Sequence, residues 1–83
     1  MKKNKIGIIG LGYVGLPVSI AFSKKYKVVG YDINHTRIIN LNNFVDSTLE
    51  ISEIKLREAL GKNLSITNDI ENPRDCNIYI ITV

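Results

Sequence analysis

The sequence predicts an α/β domain of the doubly wound kind, a parallel sheet flanked by helices. Three observations predict it. Short β-branched runs alternate with helical segments, a glycine cluster joins the first run to the first helix, and an acid closes the second run.

Ile6, Ile8 and Ile9 form an apolar run without polar alternation, the pattern of a strand covered on both faces of a parallel sheet; it should end at Gly10. Beyond the glycines Val14, Val18, Ala21 and Lys25 follow helical spacing, and Pro17 falls early enough for its missing N–H to cost little. "KVVGYD", residues 27–32, is the second strand. Asn34 can cap a helix running through Arg37 to about residue 42, with Ile38, Leu41 and Val45 on one side. "FVDSTLEI" reads as an irregular link. Ser52 can cap a further helix in which Glu53 and Arg57 pair at i,i+4, Leu56, Ala59 and Leu60 are apolar, and Gly61 is the stop. "LSIT", residues 64–67, is a third strand. Asp69 to Asp75, with Pro73 inside, holds at most one helical turn, and "NIYIITV", residues 77–83, is a fourth strand of buried character.

Composition narrows the classes. Eighty-three residues make one small domain at most, which buries roughly 60–65% of its unfolded surface. With 45% hydrophobic and 23% charged residues, neither disorder nor a disulfide scaffold is suggested. Cys76 is alone, so no intrachain disulfide forms and a reducing cytoplasm is the expected setting; a small buried residue before a strand is the reading of Cys76 itself. The net charge of +3 comes partly from Lys2, Lys3 and Lys5, read as a solvated tail. No interleaving of aromatic with basic residues and no Cys/His spacing supports nucleic-acid binding. The opening "MKKNKIGIIGLGYVGLPVSIAF" imitates a secretory signal, but Gly7, Gly10, Gly12, Gly15 and Pro17 interrupt it and no A-x-A-like cleavage site follows. A membrane span also needs about 20 apolar residues. His35 has no metal-ligand partner at useful spacing, and Asp69, Glu71 and Asp75 read as loop acids.

The chemistry lies in Gly10-Leu11-Gly12-Tyr13-Val14-Gly15, a G-x-G-x-x-G that leaves a strand, opens a helix and precedes an acid at the end of the next strand. Gly10 permits the tight turn, Gly12 lets backbone approach a pyrophosphate, and Gly15 lets the helix pack close. N–H groups near Tyr13 and Val14 would meet phosphates at the positive end of the helix. Asp32, seventeen residues past Gly15, can accept from ribose hydroxyls and repel a 2′-phosphate, so NAD is expected over NADP; Arg37 nearby could offset that repulsion.

"IGIIGLGYVGLP", followed by "VVGYDIN" and "RI", resembles the UDP-glucose/GDP-mannose dehydrogenase family, the nucleotide-sugar dehydrogenases, and the likeness extends through the final "ITV". The resemblance implies a Rossmann-type doubly wound parallel sheet, here incomplete, with the amino-terminal half plus one strand in residues 1–83 of a longer chain. It also implies that Gly10, Leu11, Gly12, Tyr13, Val14, Gly15, Asp32, Ile33, Arg37, Thr82 and Val83 bind NAD. "DSTLEIS", residues 46–52, is similar to the branch acting on UDP-N-acetylhexosamines, although Phe44 stands where a glycine is common in the family. Family chemistry oxidises a sugar's primary alcohol to a carboxylate in two NAD-dependent steps, for polysaccharide precursor synthesis. The catalytic cysteine and its lysine, asparagine and aspartate helpers lie downstream of these positions in the family, so no catalytic residue is assigned and Cys76 is not one. By the same resemblance the full-length protein is expected to be a cytoplasmic homo-oligomer taking a UDP-sugar, without nucleic-acid or membrane partners, and residues 1–83 alone are expected to be inactive. A nucleotide-binding or sensor module without catalysis is the alternative, since fold does not fix function.

Overall fold

The structure is a computed structural model that describes residues 4–82. Its elements are β1 (Lys5–Ile9), α1 (Gly15–Ser23), β2 (Lys27–Tyr31), α2 (His35–Asn42), α3 (Glu53–Leu60), β3 (Leu64–Thr67), a 3₁₀ turn (Asn72–Asp75) and β4 (Ile78–Ile81). All strand pairs are parallel, in the order β3-β2-β1-β4. That order is the start of the doubly wound dinucleotide-binding sheet. Lys2, Lys3 and Val83 fall outside the described residues.

Register explains the core. Ile6 lies opposite Val28 and Ile78, Ile8 opposite Gly30 and Ile80, and Val28 and Gly30 opposite Leu64 and Ile66. Aligned parallel neighbours point to one face, so the sheet presents a continuous apolar surface there. Leu11, Leu16, Ile20, Ile38, Leu41, Leu56 and Ala59 close over it as one cluster. Gly30 belongs to the same face because the Leu11 side chain occupies the space that its Cβ would take, with Cδ2 at 2.9 Å. The opposite face is covered only in part, with buried Pro73 and Cys76 beside β1. Ile9 is therefore half-buried rather than enclosed on both sides, and in β4, shorter than residues 77–83, Ile78, Tyr79 and Ile81 are exposed.

The caps read from sequence are formed. Asn34 accepts from the Arg37 N–H and Ser52 from the Lys55 N–H, while Glu53 and Arg57 pair at 2.8 Å across one turn. Pro17 occupies the third position of α1, where an N–H would have no intrahelical partner. The buried stripe of α1 is Leu16, Ser19, Ile20 and Ser23, whereas Val14 and Ala21 are exposed. Two serines can line a core because Ser19 donates to the Gly15 carbonyl and Ser23 to the Ile20 carbonyl, both at 2.7 Å. Gly61 ends α3 with φ −80°, so its stop is not a left-handed one.

α2 ends differently. Phe44 N–H donates to Leu41 O and Val45 N–H to Asn40 O, the paired bonds of a Schellman motif, with Phe44 at φ 67° in the position glycine usually takes. Arg57 sits over its ring, 4.1 Å from the centroid. Val45, expected beside Ile38 and Leu41, is turned out to solvent by this reversal. Among the described residues no helix is long and apolar enough to cross a membrane.

Candidate cofactor site

Gly10, Asp32 and Thr82 each follow the last residue of a strand, and the register Ile9–Tyr31 and Ile9–Ile81 brings those strand ends side by side. The chain leaves β1 through α1 toward β2, while β4 lies on the other side of β1. Such a switch in strand order, at the carboxyl edge, is where open α/β sheets leave a crevice for ligands.

The turn is fixed from every side. Gly10 (φ 102°) donates its N–H to Tyr31 O at 2.7 Å and accepts from Thr82 Oγ1 at 2.9 Å, and a Cβ here would meet Thr82 Oγ1 at 2.9 Å. Gly15 has no room for a Cβ either, because one would collide with the Gly10 carbonyl. Gly12 is the opposite case. It is exposed, and a Cβ placed on it would meet nothing within 4 Å. The turn therefore requires glycine at 10 and 15 for its own packing, while at Gly12 the space is free on the outside of the protein.

Asp32 grips the turn. Its Oδ2 accepts the Leu11 N–H and its Oδ1 the Asn34 N–H, both at 2.8 Å, and the half-buried carboxylate keeps further lone pairs free. Arg37 is buried, 7% exposed, with Nε donating to Leu11 O at 2.8 Å and Nη1 to Asp46 Oδ1 at 2.7 Å. Its Nη2 is buried and has no hydrogen-bond partner among the described residues. Sequence reasoning missed Asp46, which accepts from Thr48 N–H and Oγ1 and from the Glu50 and Ile51 N–H groups as well as from Arg37. Burial alone would push the Asp46 carboxyl up, but the Thr48 and Arg37 hydrogen bonds and the backbone donors of Ile51 and Thr48 hold it well below the usual carboxylate range.

Tyr13, Val14 and Ile33 form an exposed apolar rim, at 68, 56 and 84% exposure. No side chain caps α1 and its first turn carries no acid, so the positive helix end is uncompensated. The structure thus gathers Gly10, Leu11, Gly12, Tyr13, Val14, Gly15, Asp32, Arg37 and Thr82 around one turn, with Ile33 directly beside Asp32; Val83 lies outside the described residues. Cys76 is buried on the other sheet face, its thiol pushed up by burial. His35 is hydrogen-bonded to Asn68, and Lys5 pairs with Asp75. Among the described residues no group of three or more His, Cys, Asp or Glu side chains could hold a metal ion.

A parallel sheet with this turn at its switch point defines a dinucleotide-binding domain. The chain belongs to the UDP-glucose/GDP-mannose dehydrogenase family, as its NAD-binding domain, whose family model matches residues 4–83. It is 54% identical over 79 residues to UDP-N-acetyl-D-glucosamine 6-dehydrogenase of Salmonella typhi, covering 95% of this chain and 18% of that protein. The protein of the same name from Pseudomonas aeruginosa is 47% identical over 83 residues, 100% of this chain and 19% of that protein. The solved UDP-D-ManNAc dehydrogenase from Pyrococcus horikoshii superposes with a TM-score of 0.89 at 38% identity, covering 95% of this chain and 20% of that one. The chain thus spans about a fifth of the length of the relatives it matches.

Proposed function

We propose that this chain is the amino-terminal, cofactor-holding part of a longer nucleotide-sugar dehydrogenase that oxidises the primary alcohol of a UDP-N-acetylhexosamine to the uronic acid. The observation that carries the cofactor half of this reading is the open space at Gly12 beside the Asp32-held turn. Residues 1–83 then form a partial dinucleotide-binding domain, and the protein works in the cytoplasm as a homo-oligomer. The sugar is inferred from the names of the two relatives from Salmonella typhi and Pseudomonas aeruginosa.

In this reading the N–H groups of Gly12, Tyr13 and Val14, which have no partner among the described residues, face the pyrophosphate of NAD at the start of α1. Asp32 accepts from the adenosine ribose hydroxyls with the lone pairs left over from Leu11 and Asn34. Its charge repels the 2′-phosphate of NADP. Ile33, Tyr13 and Val14 supply apolar surface at the rim, Thr82 closes the β4 side, and Arg37 acts on the cofactor through the Leu11 carbonyl. When bound, NAD supplies the hydride acceptor. The chain's own contribution is to bind and orient it.

The test is NADH formation at 340 nm by the protein at its natural length, supplied with NAD and UDP-N-acetylglucosamine, UDP-N-acetylmannosamine or UDP-glucose. Turnover restricted to an N-acetylhexosamine is expected, with two NADH released per sugar. Cofactor binding without turnover of any sugar would favour a nucleotide-binding module instead.

A further inference from the structure

The Arg37–Asp46 pair lies outside the G-x-G-x-x-G pattern, yet it reaches the turn's backbone. Arg37 Nε holds the Leu11 carbonyl at 2.8 Å. In a planar trans peptide the N–H of the next residue points opposite to that carbonyl. A carbonyl drawn into the protein by Arg37 therefore aims the Gly12 N–H outward, to the side where Gly12 is exposed and a Cβ would meet nothing. On the preceding peptide, Asp32 holds the Leu11 N–H and Thr82 the Gly10 carbonyl, so both peptides flanking Leu11 are fixed.

Arg37 in turn needs an anchor. Its guanidinium is bound by Asp46 Oδ1 at 2.7 Å, with the Asp46 side chain wholly buried. Asp46 collects further donors from Thr48, Glu50 and Ile51, which lock the 46–51 segment around it. We infer that Asp46 is a positioning residue for pyrophosphate binding: through Arg37 and the Leu11 carbonyl it sets the aim of the Gly12 N–H, although it would touch no part of the cofactor.

The inference rests on the reading of the turn as a pyrophosphate site. It is tested on the protein at its natural length with two ligands, ADP-ribose, which carries the pyrophosphate, and adenosine, which does not. ADP-ribose is followed by calorimetry and adenosine by amide chemical shifts. Asp46→Asn removes the anchoring charge, and Arg37→Lys keeps a buried cation while losing the planar fork that spans Leu11 O and Asp46 together. Arg37→Lys carries the test if Asp46→Asn does not fold. Each folded variant should bind ADP-ribose about tenfold more weakly, the scale of one oriented charge-assisted hydrogen bond, with adenosine affinity within about twofold of wild type. The Gly12 amide resonance should move in both. Unchanged ADP-ribose affinity, or an equal loss for the two ligands, would overturn the positioning role. Failure of the wild-type protein to bind ADP-ribose would instead overturn the cofactor reading beneath it.

Discussion

Gly12 and Gly15 differ by three positions and by the whole of their physical role. At Gly15 a Cβ falls on the Gly10 carbonyl, so Gly15→Ala must open the turn or shift α1. Overpacking of this kind costs about 2 kcal/mol or more, which lowers the Tm of a domain this size by roughly 10 °C; a thermal melt checks it. Asp32 shows how two tasks share one side chain. Asp32→Ala removes the acceptor of the Leu11 N–H and, in the proposed reading, a ribose acceptor and the charge facing a 2′-phosphate. Both cofactors should bind less well, but the NAD-to-NADP affinity ratio should fall about ten- to a hundredfold, since a lost charge-assisted bond is worth about 1.5–3 kcal/mol. Titrating both cofactors against wild type and variant reads that ratio, and a ratio that does not move would reduce Asp32 to a clamp on the turn. The spacing of the glycines and of Asp32 makes these residues legible in the sequence itself. Asp46 is not legible there: it sits in an aperiodic link, nine residues from Arg37, and only the reversal at Phe44 brings the two charges together.

Among the elements, that reversal and the 46–51 segment carry the least sequence signal and the most consequence. Phe44 occupies a left-handed position that costs an ordinary residue about 1–2 kcal/mol. Its half-buried ring returns about half of the roughly 1.5–3 kcal/mol that full burial gives and about 0.5–1 through Arg57. Phe44→Gly should therefore lower stability only slightly, by less than about 1 kcal/mol, or no more than roughly 4 °C in Tm, although glycine is the residue the backbone prefers; a higher Tm would show that strain outweighs packing. Asp46 gives the 46–51 segment a pH signature. Its folded carboxyl is held low, so its stabilisation is fully present above the unfolded value of about 3.9 and is lost as pH falls toward the folded value. Urea unfolding from pH 5 downward should show stability falling, with a shallower slope in Asp46→Asn; equal slopes would mean that the carboxylate is not specially held. Asp75 is also lowered, by its hydrogen bond with Lys5, but it is exposed and contributes little. Other elements are legible for plain reasons: Asn34 and Ser52 announce their caps, and β1 to β3 announce themselves by β-branched runs bounded by turn residues. The buried face of α1 is not, because a helix apolar nearly all round has no stripe to read, and two self-satisfied serines lie on the side that packs.

At the scale of the molecule, the order β3-β2-β1-β4 places one apolar face under helices and leaves Ile78, Tyr79 and Ile81 exposed on β4, a strand that pairs on one side only within the described residues. Residues 1–83 prepared alone should therefore self-associate through that edge, and Ile81→Lys should reduce the association seen by light scattering. The same preparation should yield no NADH from any UDP-sugar, since its described residues assemble no catalytic acid, base or nucleophile. Sustained turnover would contradict that placement of the chemistry. What unites the scales is a turn whose glycines differ in what they serve: Gly10 and Gly15 are required by the fold, while Gly12 faces open space, which the proposed reading gives to the cofactor. Calorimetric titration of NAD against the natural-length protein and its Gly12→Val variant tests this most directly. The variant should melt within about 2 °C of wild type, as a shift well under 1 kcal/mol implies, because its side chain enters open space, and it should show no measurable NAD binding where wild type saturates at one site. A folded Gly12→Val protein that binds NAD with wild-type affinity would show that the turn serves only the fold.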